Sequence, residues 1–316
     1  MSLQRFVLKR GLITIPLLLG ISLLTFGMVH AIPGDPIDFI TLFTELDPQT
    51  EMEIRAEYGL DQPVYIQYID WVTSAATGDF GRSIITRDPV IDEIMTRLPY
   101  TLVMGIMAFG VTLITAIPTG VIAAYYRNTK IDQASRVFAL LGIAIPNFLL
   151  GLLLLLVFAS WLDLFPILPP TSRGILSYDM LVYTLLPAIT IGTGSTALLM
   201  RLMRSSMVEE LDKDYVRTAR AKGLPERTVV RKHVLRNSLI SVVTVAAIQV
   251  AFIISGSVVV EIVFSYPGIG RLLVNRVGNR DFPVIQAIVL LIGVAVILAN
   301  FVADVLYAYL DPRIRY

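Results

Sequence analysis

Chemistry on a polypeptide needs a nucleophile, a proton shuttle, a set of metal ligands or a phosphate cradle, and this chain is poor in all four. It has no cysteine, which removes disulfides, thiolate metal sites and cysteine nucleophiles. It has two histidines, His30 and His233, too far apart in the topology derived below to share a metal ion. Neither H-E-x-x-H nor G-x-S-x-G occurs, and no G-x-x-x-x-G-K-[ST] loop is present to cradle a nucleotide. Gly192-Thr193-Gly194-Ser195 is a short run of small residues suited to close helix packing. The 26 basic residues are balanced by 25 acidic ones, so bulk positive charge for nucleic acid is absent. No catalytic residue, metal site or nucleic-acid partner is expected.

What remains is a constellation suited to mechanical work. In residues 201–236, ten basic side chains stand against five acidic ones. Val208, Leu211, Tyr215 and Ala219 recur at helical spacing and Val216 widens the stripe, while Glu209, Glu210, Lys213, Arg217 and Arg220 fall largely on the other side. Lys222 closes the last turn, and Gly223 stands where a helix C-cap wants a positive φ. After Leu224, Pro225 suits the first position of a second helix, with Glu226 near its positive end. That helix passes Arg227, Val229, Val230, His233 and Val234 and leads into an apolar run at Ser238. A partner gripping the turn would pull on two membrane helices at once.

The elements that must position this lever are legible from where charge is missing. Six windows carry no Asp, Glu, Lys or Arg: Gly11–Gly34, Leu98–Tyr126, Val137–Leu162, Met180–Met200, Asn237–Val260 and Phe282–Ala303. Each reaches the roughly 20 helical residues that a hydrocarbon core about 30 Å thick requires. With 55% hydrophobic and 16% charged residues overall, the chain reads as an all-α integral membrane protein of six transmembrane helices, and a soluble enzyme is excluded. The first window is too long for a signal-peptide core and is kept as a span. Prolines 16, 118, 146 and 187 inside the windows are expected to bend helices.

Basic residues set the orientation. The N-terminus holds Arg5, Lys9 and Arg10, the second loop Arg127, Lys130 and Arg136, the fourth loop its ten, and the tail Arg313 and Arg315. The first loop, 35–97, has 13 acidic residues and four basic ones. Both termini and the even loops are therefore expected in the cytoplasm, with loop five mildly dissenting. The expected organisation is an N-terminal segment and first span over 1–34, an extracytoplasmic loop over 35–97, and a five-helix core over 98–316 that includes the 201–236 coupling loop. Within the outer loop, Gln62-Pro63 followed by Tyr65, Tyr68, Ile69, Trp71 and Val72 suggests an amphipathic helix on the membrane surface. Asn147, Thr190, Thr193, Gln249, Ser255, Ser257 and the ionisable Glu261 are the candidates to line or gate a route across the membrane.

Several blocks together resemble a known family. Arg217-Thr218-Ala219-Arg220-Ala221-Lys222-Gly223, then Pro225-Glu226-Arg227 and Arg236-Asn237-Ser238, resembles the cytoplasmic "EAA" loop of binding-protein-dependent ABC importer permeases, in the form found in the B-type subunit of dipeptide and oligopeptide permeases. Arg5-Phe6-Val7 through Pro33-Gly34-Asp35-Pro36, and Gly78-Asp79-Phe80-Gly81-Arg82-Ser83, are similar to that subfamily's first span and outer loop. Ile145-Pro146-Asn147-Phe148, Glu261 through Gly270, and Asn300, Asp304, Tyr307 and Asp311-Pro312-Arg313 match further blocks. Here Arg217-Thr218-Ala219 stands where the motif's namesake Glu-Ala-Ala would be, and Ser241 where a proline is frequent.

The resemblance implies a permease subunit of the prokaryotic plasma (inner) membrane that forms half of a peptide pathway. It implies a second, related permease subunit as heterodimer partner, an extracytoplasmic substrate-binding protein, and two cytoplasmic ATPase subunits that bind the ATP and Mg. This chain itself would hold no cofactor. Tyr215, Arg217, Thr218, Ala219, Arg220, Lys222, Gly223, Leu224, Pro225 and Arg227 would couple to an ATPase, with the Tyr215/Val216/Ala219 face supplying apolar contact. Tyr65, Tyr68, Trp71, Gly78, Asp79 and Gly81 would belong to the outer face. A gradient-driven secondary transporter or channel is the alternative. It would call for inverted repeats and central acidic residues, which the sequence does not clearly display.

Overall fold

The computed structural model describes residues 3–31, 47–57, 59–170 and 174–310. The segments Pro33–Pro36 and Asp311–Arg313, both singled out above, lie outside the described residues. The chain is built from α1 (Leu3–His30), α2 (Pro48–Glu57), α3 (Val64–Ala76), α4 (Val90–Tyr125), α5 (Lys130–Ala144) and α6 (Asn147–Leu154). A π-helical turn over Leu155–Trp161 follows, then α7 (Tyr178–Leu211) and α8 (Asp214–Ala221). Next comes α9 (Glu226–Thr228), running through π-helical Val229–Val234 into α10 (Leu235–Val263). Last are α11 (Ile269–Gly278) and α12 (Phe282–Leu310). No strand forms among the described residues.

Among the described residues, five helices are long and apolar enough to cross a bilayer. The charge-free window Val137–Leu162 was expected to be one span, and it is not one straight helix: α5 and α6 meet at 103° across Ile145-Pro146. Proline explains the break. It has no N–H to give and disfavours helical ψ in the residue before it, and Ile145 adopts ψ 120°. A sixth crossing exists if this bent pair is counted as one span.

The long helices α4 and α7 pack along most of their length, and small residues let them. A Cβ on Gly192 would stand 2.9 Å from the Ala108 carbonyl, a distance real side chains do not adopt. Thr112 Oγ1 donates within that contact to the Ala108 and Gly192 carbonyls, at 2.9 and 3.2 Å. Met200, Met203 and Met207 of α7 are fully buried with Ala116, Ala139, Val216, Val229 and Val234 at one end of the bundle. Met104, Met180, Tyr183, Phe264 and Tyr266 fill the other. α1 lies at the side, on α12, where Arg10 pairs with Asp304 at 3.1 Å. This arrangement puts the start of α1 and the end of α12 at the α8 end of the bundle, and α3 and α11 at the opposite end.

Candidate functional site

The lever expected from the sequence is present, with three differences of detail. Its first helix does not run unbroken from Val208: α7 stops at Leu211, and α8 begins at Asp214 after an extended Lys213. Asp214 favours that new start because a carboxylate suits the positive end of a helix. At the far end Pro225 is extended, with ψ 140°, and precedes the second helix rather than opening it. The third difference concerns the apolar stripe. Val216 and Ala219 are buried in the chain's own core, among Met207, Val229 and Val234, so they anchor α8 to α7 and the 229–234 segment instead of facing a partner.

The turn itself is closed as its residues dictate. Gly223 has φ +78°, its N–H donates to the Arg220 carbonyl at 2.9 Å, and the Leu224 N–H reaches the Ala219 carbonyl at 3.4 Å. That pair of bonds is the Schellman ending, which needs a residue in the left-handed region where glycine is unstrained. Arg220 clamps Glu226 across the turn with two bonds of 3.0 and 2.7 Å. Tyr215 donates to Glu210 at 2.5 Å and accepts from Asn237 at 3.1 Å, tying α8 to both flanking helices. Burial, and then the Glu210 carboxylate, push the Tyr215 phenol above its ordinary value. What stays open to solvent is Arg217, Thr218, Arg220, Lys222, Gly223, Leu224, Pro225 and Arg227, a cationic rim around one exposed leucine.

Beside this turn lies an ionic node that sequence reasoning missed. Asp132, near the start of α5, is fully buried. Its oxygens accept from Arg204 of α7 at 2.6 and 2.8 Å, from Arg136 at 3.1 and 2.9 Å, and from the Asn128 N–H at 3.0 Å. A second pair, Arg127 with Asp212 at 3.0 Å, joins the same loop to the residue between α7 and α8. An Asp four residues before an Arg is the one local signal, and it is common on surface helices; the partner 72 residues away leaves no mark in the sequence.

The route candidates do not converge on one spot. Asn147 opens α6 with its side-chain oxygen toward Gly194, next to Thr193, whose hydroxyl is spent on the Ile189 carbonyl at 2.7 Å. Gln249 is buried partway along α10, about 18 Å of helix from Glu261 by axial rise. Glu261 is fully buried, accepts from Thr101 Oγ1 at 2.8 Å and from the Arg271 N–H at 2.9 Å, and sits with Ser257 against the N-terminus of α11. The carboxylate therefore caps α11 and staples the 264–270 turn to α4.

At the opposite end of the bundle, α3 docks on the end of α1. Tyr68 shares a hydrogen bond with Ser22 at 2.9 Å, and Phe26 meets the rings of Tyr68 and Trp71 at 5.4 and 5.8 Å. Tyr65 points outward and is exposed. Gly78 and Gly81 turn the chain at positive φ, with Asp79 accepting from the Gly81 N–H at 2.9 Å. Ser83 and the Ile84 N–H then donate to buried Asp281 at 2.5 and 3.1 Å, and Arg276 bridges Asp281 and Glu93.

Comparison with known proteins decides what this architecture is. Residues 116–316 match the family described as the binding-protein-dependent transport system inner membrane component, and residues 3–105 match the N-terminal part of such a membrane component. The chain belongs to this family. The permease is 44% identical over 314 residues to the glutathione transport system permease protein GsiC of Escherichia coli, spanning 98% of this chain and 99% of that one. It is 40% identical over 318 residues to the oligopeptide transport system permease protein AppB of Bacillus subtilis, again spanning 98% and 99%. A crystal structure of an amino acid ABC transporter with histidines shares the fold, with a TM-score of 0.51 at 12% identity over 69% of this chain and 94% of that one. The permease is thus a multi-pass inner-membrane subunit of an ATP-driven importer, working with ATPase and substrate-binding partners.

Proposed function

We propose that the permease forms half of a translocation path for short peptides and takes its power stroke through the α8–Gly223–α9 turn. The observation that carries the coupling role is the contrast within that turn. Its apolar side is consumed in anchoring to α7 and α10, whereas its outer rim presents Arg217, Arg220, Lys222 and Arg227 around exposed Leu224. Such a rim suits an acidic-edged groove on an ATPase subunit, where charge sets register and one apolar knob seats. Because α7 enters this element and α10 leaves it, both spanning from the turn to the far end of the bundle, a pull on the turn moves two membrane helices together. ATP and Mg belong to the ATPase subunits.

The basic excess at the α8 end supports placing that end and both termini in the cytoplasm, with α3 and the 78–90 turn facing the binding protein. The peptide class is supported by the two relatives above, and specificity would rest chiefly with the external receptor. Five crossings and a bent pair make a narrow conduit for a peptide, which supports a second, related permease subunit as the other wall. The test is reconstitution with both permease subunits, the ATPases and the binding protein in proteoliposomes. Peptide uptake should require ATP and survive collapse of the proton gradient. Uptake by this chain alone, or uptake abolished by a protonophore with ATP present, would overturn the proposal in favour of a gradient-driven carrier.

A further inference from the structure

The Asp132 node fastens the first helix of the bent pair α5–α6 to the stem of the coupling turn. Arg204 lies on the last two turns of α7, seven residues before the helix ends at Leu211. Its guanidinium grips Asp132 with two bonds of 2.6 and 2.8 Å, the fork geometry in which arginine fixes direction as well as distance. Among the described residues this is the single ion pair between α5 and α7. Beyond it, α5 meets α7 through small residues, buried Ala139 and Gly142 beside Ala197 and Thr193, while its large side chains Val137, Phe138, Leu140, Leu141 and Ile143 are exposed. Arg127 with Asp212 adds a second tie, at the hinge between α7 and α8. The chain of rigid links runs from the Gly223 turn through α8 and the end of α7, across Arg204–Asp132, along α5 to the Pro146 break.

We infer that Asp132 is a positioning residue for transport: it makes α5 follow α7, so that movement of the coupling turn changes the bend at Ile145-Pro146 and the placement of Asn147 beside Gly194. This rests on the coupling role proposed for the turn and adds the route by which that motion reaches the broken span. The node suits the task because it is strong only when whole. A carboxylate shielded from water and shared by two guanidiniums is costly to separate from either, so the two helices move as one body.

This chain has no cysteine, so single reporter thiols placed in it can be read in the complete transporter when the partner subunits are made cysteine-free. In proteoliposomes, Leu224→Cys should be protected from a thiol reagent when the ATPase subunits are bound, which tests the coupling surface by itself. Ala144→Cys, exposed at the break, should change its labelling rate several-fold between the ATP-bound and nucleotide-free complex. Adding Asp132→Asn should leave Leu224→Cys protected, abolish the change at Ala144→Cys, and raise the ATP consumed per peptide on the order of tenfold, within the range of allosteric coupling energies. Asp132→Glu should restore much of the labelling change and of the stoichiometry, which a merely structural loss would not explain. If Asp132→Asn fails to assemble, Arg204→Lys, which keeps the charge and loses the fork, is read the same way. Unaltered Ala144→Cys labelling and unaltered stoichiometry in the assembled variant overturn the inference while the coupling surface stands. Loss of protection at Leu224→Cys in the parent complex overturns the coupling surface instead.

Discussion

Gly223 offers the sharpest test of the coupling turn, because structure separates two reasons why a glycine would be needed there. Its φ is +78°, and a Cβ added to it would meet no atom of this chain within 4 Å. Any cost within the chain is therefore conformational. For alanine it is about 1–2 kcal/mol, the ordinary left-handed penalty, and less for asparagine, which tolerates this region. Because α8 is pinned by buried Val216 and Ala219, and α9 by Val229, much of that cost is absorbed without losing the turn. Proline is different in kind: its φ is fixed near −65° and it has no N–H for the Arg220 carbonyl. In the reconstituted complex, Gly223→Asn should import within about twofold of the parent. Gly223→Ala should lose up to about tenfold, since 1.4 kcal/mol is one decade. Gly223→Pro should abolish peptide uptake while ATP hydrolysis by the partner subunits persists. Normal uptake by the proline variant would remove the turn from the mechanism. Asparagine and alanine variants as inert as proline would refute the conformational reasoning, showing that the partner rejects any side chain at that point.

Three further outcomes follow from the opposite end of the bundle. Glu261→Ala should destabilise the purified protein by about 3–6 kcal/mol, since it strands the Thr101 hydroxyl and the Arg271 N–H at roughly 1–3 kcal/mol each and removes a helix-capping charge; a thermal midpoint equal to the parent's would show that the carboxylate is not the staple of α11. Asp281 has its carboxyl raised above the ordinary value by burial, with Ser83 and Ile84 opposing. The folded state therefore holds that proton longer than the unfolded state, and stability falls as pH rises from the ordinary carboxylate value through the raised one. Asp281→Asn should flatten that part of the melting-versus-pH curve, and an unchanged slope would refute the assignment. Tyr68→Phe with Trp71→Ala should loosen α3 on α1, removing the hydrogen bond to Ser22 and the ring contact of Trp71 with Phe26, worth about 0.5–1.5 kcal/mol apiece. Limited proteolysis between α2 and α3 should then accelerate, and an unchanged digestion rate would place the anchor elsewhere.

Features that depend on local chain chemistry were readable from residues alone. Charge-free windows gave the apolar helices, since length and absence of charge are what a bilayer selects. The Lys222-Gly223 ending announced its positive φ, and Gln62-Pro63 marked the entry to α3. Where a tertiary contact decides, the sequence was silent or misleading. The stripe Tyr215, Val216, Ala219 has the same period whether it faces a partner or the chain's own α7, and only the buried methionines of α7 resolve the choice. Glu261 reads as an intramembrane carboxylate, and its engagement by Thr101, 160 residues away in sequence, and by the Arg271 amide leaves no local mark in the sequence. The window around Pro146 carried its breaker in plain view, but charge and hydropathy alone do not distinguish a kink from a 103° reversal.

The fate of the buried carboxylates bears on what the path can recognise. Asp132, Glu261 and Asp281 are each fully buried, and each has both oxygens engaged by donors of this chain. A carboxylate in that state cannot also hold a passing ammonium group without giving up its bonds to a guanidinium, an amide or a hydroxyl. These charges are therefore committed to joining segments: α5 to α7, the 264–270 turn to α4, and the 83–84 turn to the start of α12. On the path proposed above, the side chains near the broken span, Asn147 beside Thr193 and Gly194, are neutral. A neutral wall discriminates poorly among side chains and tolerates any peptide backbone, which fits the proposal that specificity rests with the external receptor.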